Sequence, residues 1–171
     1  MRPPIPLNQR NLARLPVDVA RPSYDRSLLR RGIVHIGMGG FHRAHLARYT
    51  HDLMERRSDA REWGICGVGL MPGDARLAEA LGPQDNLYTL VERDAESERA
   101  TVIGSVARTI FAPAEAEALR AALDDPSTRI VSLTVTEAGY CLAPGTKRLN
   151  PDHPLIAHDL AACVPSVKKW R

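Results

Sequence analysis

The chain has 171 residues and a net charge of +3 that is unevenly placed: residues 1–31 carry seven arginines against two aspartates, and the remainder has 16 basic and 18 acidic side chains. A domain of this length buries roughly 70% of the surface its unfolded chain exposes, enough for a core of its own. The basic excess sits in the arm and the chain has only eight aromatics, so no basic, stacking face for nucleic acid is expected.

No apolar run approaches the ~18 residues that a membrane span needs, and the N-terminus has no apolar leader, so neither membrane insertion nor secretion is expected. Cys66, Cys141 and Cys163 are three in number and widely spaced, which fits reduced thiols in a cytoplasmic protein rather than a disulfide frame. Their spacing fits no common zinc site, and no metal is expected.

In chain order, residues 1–31 hold Pro3, Pro4, Pro6, Pro16 and Pro22 without sustained periodicity and read as an extended arm packed over the domain. Residues 32–37 form a first strand. Residues 41–57, with Phe41, Ala44, Leu46, Ala47, Leu53 and Met54 among charges, form a helix with one buried side. Residues 63–70 are a second strand, fully apolar and buried on both faces. Pro72-Gly73-Asp74 ends it, and a short helix follows over 75–81. Residues 87–93 and 99–107 alternate apolar and polar around the charged stretch 93–98, an antiparallel hairpin. Pro113 opens a helix over 114–123, with Glu115 and Glu117 near its positive end. Residues 129–136 are the next buried strand, and 153–162 another helix. This order predicts an α/β fold, a Rossmann-like dinucleotide-binding sheet with an inserted antiparallel hairpin, over residues 32–162.

The strand Ile33–Ile36 runs straight into Gly37-Met38-Gly39-Gly40 and then a helix. Backbone N–H groups at such a turn can hold a pyrophosphate, with Gly37 taking the tight turn and Gly39 leaving room for the phosphates. Gly40 joins them as a cofactor candidate. The sixth position of the dinucleotide fingerprint, ordinarily Gly or Ala, is His42. Arg43 in the first turn opposes the helix dipole, which an anion nearby would offset; a solvated arginine is the alternative. His42 and His45, with His51 and Asp52, have a spacing compatible with metal, which the sequence does not otherwise favour. Asp74 follows the second strand, where such folds place a carboxylate on the adenosine ribose. That favours NAD over NADP, although Arg76 offers a partner for a 2′-phosphate, and Asp74 is equally suited to cap a helix. A second Gly-x-Gly, Gly67 and Gly69, has no helix at the right offset and serves close packing instead. Thr134, Thr136 and Glu137 end the last apolar strand, at the edge that faces the ligand crevice in these folds.

The string Gly37-x-Gly39-x-Phe41-His42-Arg43-Ala44-His45 closely resembles the N-terminal signature of the mannitol dehydrogenase family of long-chain polyol and hexuronate dehydrogenases. Trp63–Gly69, Gln84–Leu90 and Ile130–Glu137 resemble further family motifs in the same order, so that the resemblance runs from about residue 3 to 162. It implies oxidoreductase activity on CH–OH groups of a sugar alcohol or aldonate, with NAD, giving the ketose or keto-uronate. Phe41 belongs to the family's variant fingerprint and is expected to pack the helix start against the sheet. Thr134-x-Thr136-Glu137-x-Gly139-Tyr140 resembles a motif whose Glu lies near the reacting centre, implying an auxiliary proton role for Glu137. Ala138 stands where members usually carry Lys or Gly.

Oxidising a secondary alcohol needs a base for the hydroxyl proton. The family's base resembles a helical Lys supported by Asn and His in a C-terminal catalytic domain. This chain has only Lys147, Lys168 and Lys169, none in that context. The family is also substantially longer, and from Cys163 to Arg171 the sequence diverges from it. The expectation is a truncated cofactor-binding portion, inactive alone because the catalytic region is missing. A non-catalytic dinucleotide-binding module and an inactive remnant are the alternatives.

Overall fold

The computed structural model describes residues 5–135 and 137–167, with side chains described through residue 162 apart from 137 and 138. The chain divides into two units, 1–134 and 135–171. The first contains the strands β1 (Ile33–Ile36), β2 (Ile65–Gly69), β3 (Tyr88–Arg93), β4 (Glu98–Ile103), β5 (Val106–Phe111) and β6 (Ile130–Leu133). Its helices are α1 (Gly40–Ala44), α2 (Leu46–Arg56), α3 (Asp74–Leu81) and α4 (Ala116–Asp124).

Four strands form a parallel sheet in the order β5-β2-β1-β6, and β3-β4 form a separate antiparallel pair. Numbered along the parallel sheet alone, this is the 3-2-1-4 order that begins a doubly wound dinucleotide-binding fold. Hydrophobic strands suit such a sheet because both faces are covered. On one face Ile33, Ile65 and Val106 pack with Met38, Ala47, Leu81, Tyr88 and Ile103. On the other, Val34, Cys66, Val68 and Ile110 meet Ala122, Ala118 and Leu119 of α4. α2 contributes Ala47, Thr50, His51 and Met54 to the buried interior, positions one helical turn apart or adjacent to it.

Three expectations change. The helix anticipated over 41–57 breaks at His45, whose φ of −118° and ψ of −85° separate α1 from α2. The hairpin's second strand stops at Ile103; 106–111 is a strand of its own, parallel to β2 and part of the main sheet. The apolar–polar alternation runs on across Gly104-Ser105, so periodicity alone gives no sign of the change of sheet. Finally, β6 is not buried: Ile130, Val131 and Leu133 are 44%, 53% and 58% exposed. It pairs with β1 along one side, and among the described residues no strand lies along the other. Its apolar run suits an interior position, but here it forms an edge.

The arm is held tightly. Asn8 caps a 3-10 turn (Gln9–Arg14) through its side chain, and Leu12 packs with Leu87 and Val102. Ala20 pairs with β4, donating its N–H to the Ala100 carbonyl at 3.0 Å and accepting from Val102 N–H at 2.7 Å. Arg26 donates to the carbonyls of Gly104 (2.8 Å), Val106 (2.9 Å) and Asp85 (2.7 Å).

The second unit contains a 3-10 turn (Glu137–Tyr140), a bridge between Leu142 and Leu149, and α5 (Pro154–Val167). No helix among the described residues is long and apolar enough to cross a membrane.

Candidate dinucleotide site

The glycine turn leaves the carboxyl end of β1. Gly37 has φ +99°, a conformation that side chains rarely adopt, and its N–H donates to the Val68 carbonyl at 2.8 Å. A Cβ there would also lie 3.3 Å from the Thr134 carbonyl oxygen. Gly39 caps α1 with extended backbone and no side chain. A Cβ at Gly39 or Gly40 would meet nothing within 4 Å, so the space over both glycines is open. That open backbone is what a pyrophosphate-binding turn requires.

Beneath the turn, one row of residues crosses all four parallel strands: Ser132 of β6 opposite His35 of β1, His35 opposite Gly67 of β2, and Gly67 opposite Thr109 of β5. Each is a small or polar residue. Met38, 1% exposed, points down onto this row; the Thr109 hydroxyl lies 3.8 Å from its sulfur. His42 also lies over the row, its ring stacked on His35 at 3.9 Å between centroids and 15° from parallel. His35 is fixed in turn by the hydroxyls of Ser132, 2.8 Å from Nδ1, and Thr134, 3.0 Å from Nε2. The position that weakens the fingerprint in sequence is thus filled by a ring that spaces the helix from the sheet.

Both nitrogens of His42 are buried without a hydrogen-bond partner among the described residues. Burial, then the neighbouring His35 and Arg43, push its pKa down to about 3, so it is neutral. Burial likewise lowers His35.

The other candidates divide. Arg43 is half-buried: α1 is only one turn long, and Arg43 folds back to donate to the Met38 carbonyl at 2.7 Å. The carbonyl of Arg43 accepts from the Tyr88 hydroxyl at 2.7 Å. Phe41, expected to pack on the sheet, is 67% exposed and stacks on His45 at 4.4 Å. His42 and Met38 occupy the sheet-facing positions, which leaves the Phe41 ring outside. Asp74 does not cap α3, where Gly73 stands. Its Oδ2 accepts from the N–H groups of Leu70 and Met71, both at 2.9 Å, and so holds the loop after β2. Among the described residues Oδ1 has no hydrogen-bond partner. Thr134 lies at the end of β6, its N–H donating to Ile36 at 2.9 Å. Thr136 lies outside the described residues. Glu137 opens the 3-10 turn of the second unit, and its side chain also lies outside them.

The histidines with metal-like spacing separate: His45 is exposed beside Phe41, and His51 is buried with Nδ1 2.9 Å from the Tyr24 hydroxyl. Among the described residues no group of three or more His, Cys, Asp or Glu is placed to hold a metal ion. A surface cavity of about 690 Å³ lies at the amino edge of the sheet, away from the glycine turn. Three of its four lining arginines are already engaged, Arg26 by carbonyls, Arg31 by Asp125 at 3.6 Å and Arg108 by Glu115 at 3.6 Å.

A 3-2-1-4 parallel sheet with a positive-φ glycine and an open turn after its first strand defines a dinucleotide-binding type of α/β domain. Comparison with known proteins narrows the class: residues 31–168 match the family model of the mannitol dehydrogenase Rossmann domain, and the chain belongs to that family. It is 49% identical over 160 residues to mannitol 2-dehydrogenase of Pyrenophora tritici-repentis, covering 94% of this chain and 28% of that protein. Mannitol 2-dehydrogenase of Aspergillus clavatus is 48% identical over 162 residues, 92% of this chain and 32% of that protein. Among solved structures, the chain resembles Pseudomonas fluorescens mannitol 2-dehydrogenase in ternary complex with NAD and D-mannitol (TM-score 0.81, 44% identity, 91% of this chain and 32% of that one). It also resembles substrate-free D-sorbitol dehydrogenase (TM-score 0.78, 36% identity, 91% and 32%). The chain thus spans about a third or less of the length of these relatives.

Proposed function

We propose that this chain is the cofactor-holding portion of an NAD-dependent dehydrogenase that interconverts a sugar alcohol of the mannitol class and its ketose. The observation that carries the reading is the open Gly37–Gly40 turn at the carboxyl end of β1, together with 44% identity to a protein solved with NAD and D-mannitol. Gly37, Gly39 and Gly40 supply the turn for the pyrophosphate. Phe41, exposed at its margin, offers an apolar face to the bound dinucleotide. Arg43 serves by bracing the turn. Asp74 keeps one carboxylate oxygen without a hydrogen-bond partner among the described residues, suited to a ribose hydroxyl and repulsive to a 2′-phosphate, which favours NAD over NADP.

NAD, when bound, supplies the hydride acceptor. By resemblance to the family motif, Thr134 and Thr136 are assigned to cofactor binding and Glu137 to an auxiliary proton role. The base that takes the hydroxyl proton belongs to the part that the longer relatives have and this chain does not match. Free, buried Cys66 and Cys141 suit a reducing, cytoplasmic compartment.

Incubation of the purified chain with NAD and D-mannitol, followed by NADH absorbance, tests this division of labour. The expected result is cofactor binding without turnover. Mannitol-dependent NADH formation by the chain alone would show that the base lies within it.

A further inference from the structure

Gly67 lies in the second Gly-x-Gly of the chain, which has no phosphate-binding helix behind it. It lies opposite His35 in the sheet and is completely buried. A Cβ built on it would lie 1.5 Å from the Met38 sulfur, 2.5 Å from Cγ and 2.9 Å from Cε. The middle residue of the glycine turn therefore occupies the volume that every other amino acid at position 67 would fill. The Met38 backbone is fixed at the same time, because its carbonyl accepts from Arg43 at 2.7 Å.

We propose that Gly67 is a positioning residue for dinucleotide binding: it is the socket into which Met38 seats, and that seating sets the height of the Gly37–Gly40 backbone above the sheet. The proposal rests on the reading of that turn as the pyrophosphate site. Gly67 itself touches no cofactor. Its effect passes through Met38 to Gly39 and Gly40, whose N–H groups must converge on the phosphates. The turn is short and tied down at both sides, by Gly37 N–H to the Val68 carbonyl and by Arg43 to the Met38 carbonyl, so lifting its middle residue displaces its neighbours. The Thr109 hydroxyl beside the sulfur closes the socket from β5.

The test is a double-substitution cycle on the full chain, reading NAD affinity by calorimetry and folding by circular dichroism and thermal melting. Gly67→Ala is expected to weaken NAD binding by about tenfold or more, as expected when binding groups shift by on the order of 1 Å. Met38→Ala/Gly67→Ala is expected to recover most of that loss, because the new methyl group fills the volume that the thioether leaves. Such non-additivity is the signature of two residues acting as one unit. A folded Gly67→Ala chain with wild-type affinity would overturn the proposal. So would a folded double variant that binds no better than Gly67→Ala. If Gly67→Ala does not fold, the double variant decides: affinity within about threefold of wild type supports the latch, and a folded chain that has lost NAD binding refutes it. Absence of NAD binding by the wild-type chain would instead contradict the underlying functional reading. The melting temperatures of the wild type, Gly67→Ala, Met38→Ala and the double variant would then decide the Met38–Gly67 seating, with additive shifts refuting it.

Discussion

The rings of His35 and His42 stack face to face, 3.9 Å apart, and join the first turn of α1 to the middle of the parallel sheet. His35 continues the connection to β6 through Ser132 and Thr134. The helix that begins at the glycine turn is therefore held by an imidazole in place of the small residue that usually lets helix and sheet approach.

This predicts a difference between two substitutions. His42→Ala removes a buried ring and leaves a cavity, with an expected loss of about 2–4 kcal/mol of stability. His42→Phe keeps a planar ring over His35 and removes two buried nitrogens that lack partners, so it should lie within about 1 kcal/mol of the wild type or exceed it. Urea unfolding measures both, and equal losses would mean that a polar contact at His42 matters after all.

Stability should fall in mild acid. Burial lowers the pKa of His35, His42 and His51 in the folded chain, whereas unfolding returns each to about 6.5. Below that pH the unfolded state binds protons that the folded state refuses, so their stabilisation is present above about pH 6.5 and is lost as pH falls. For His42 the loss continues down toward its folded value of about 3. The expected slope is up to about 1.4 kcal/mol per pH unit for each such histidine. Melting temperatures from pH 7.5 down to about 5 check this, and His42→Phe should flatten the dependence.

The arm's attachment depends on Arg26, whose guanidinium donates to three backbone carbonyls outside the arm, in the bend between β4 and β5 (Gly104), the Asp85 loop and the start of β5 (Val106). Arg26→Ala should cost about 2–3 kcal/mol, because the hydrogen bonds are charge-assisted and the carbonyls are left unpaired. Limited proteolysis would then cleave within the first 31 residues sooner than in the wild type. Unchanged proteolysis would place the arm's anchorage elsewhere, on Leu12 and Ala20.

Much of this architecture is legible in the sequence, for identifiable reasons. β1 and β2 are apolar because both of their faces are covered, and Gly37 is visible because the turn needs its positive φ. β5 escaped because alternation does not stop at a bend between two sheets. The exposure of β6 escaped because an apolar run records the environment a strand suits, not whether neighbours flank it. Phe41 faces outward and Arg43 folds back in a helix that ends after one turn at His45, a break that the periodicity over 41–57 does not show. The row Ser132, His35, Gly67 and Thr109 left a partial trace: Ser132 and His35 are the odd residues in otherwise apolar strands, whereas Gly67 and Thr109 have small or polar neighbours in theirs. Only the register shows that the four lie side by side under Met38 and His42.

The exposed edge has a consequence in solution. Val131 and Leu133 point toward the α4 face, where they are 53% and 58% exposed. An open apolar strand edge favours self-association. Val131→Lys/Leu133→Glu should reduce light scattering on concentration and lower binding of an apolar dye, with little change in melting temperature. A large loss of melting temperature would mean that these side chains are covered in solution.

The most direct test of the central claim is calorimetric titration of the chain with NAD, beside a Gly39→Val variant. The backbone at Gly39 is extended and a Cβ there meets no atom within 4 Å, so the substitution should leave the fold intact while obstructing the phosphates. The account predicts NAD binding by the wild type and its loss in a normally folded variant. Equal binding by both would mean that the dinucleotide, if held at all, does not lie over the glycine turn.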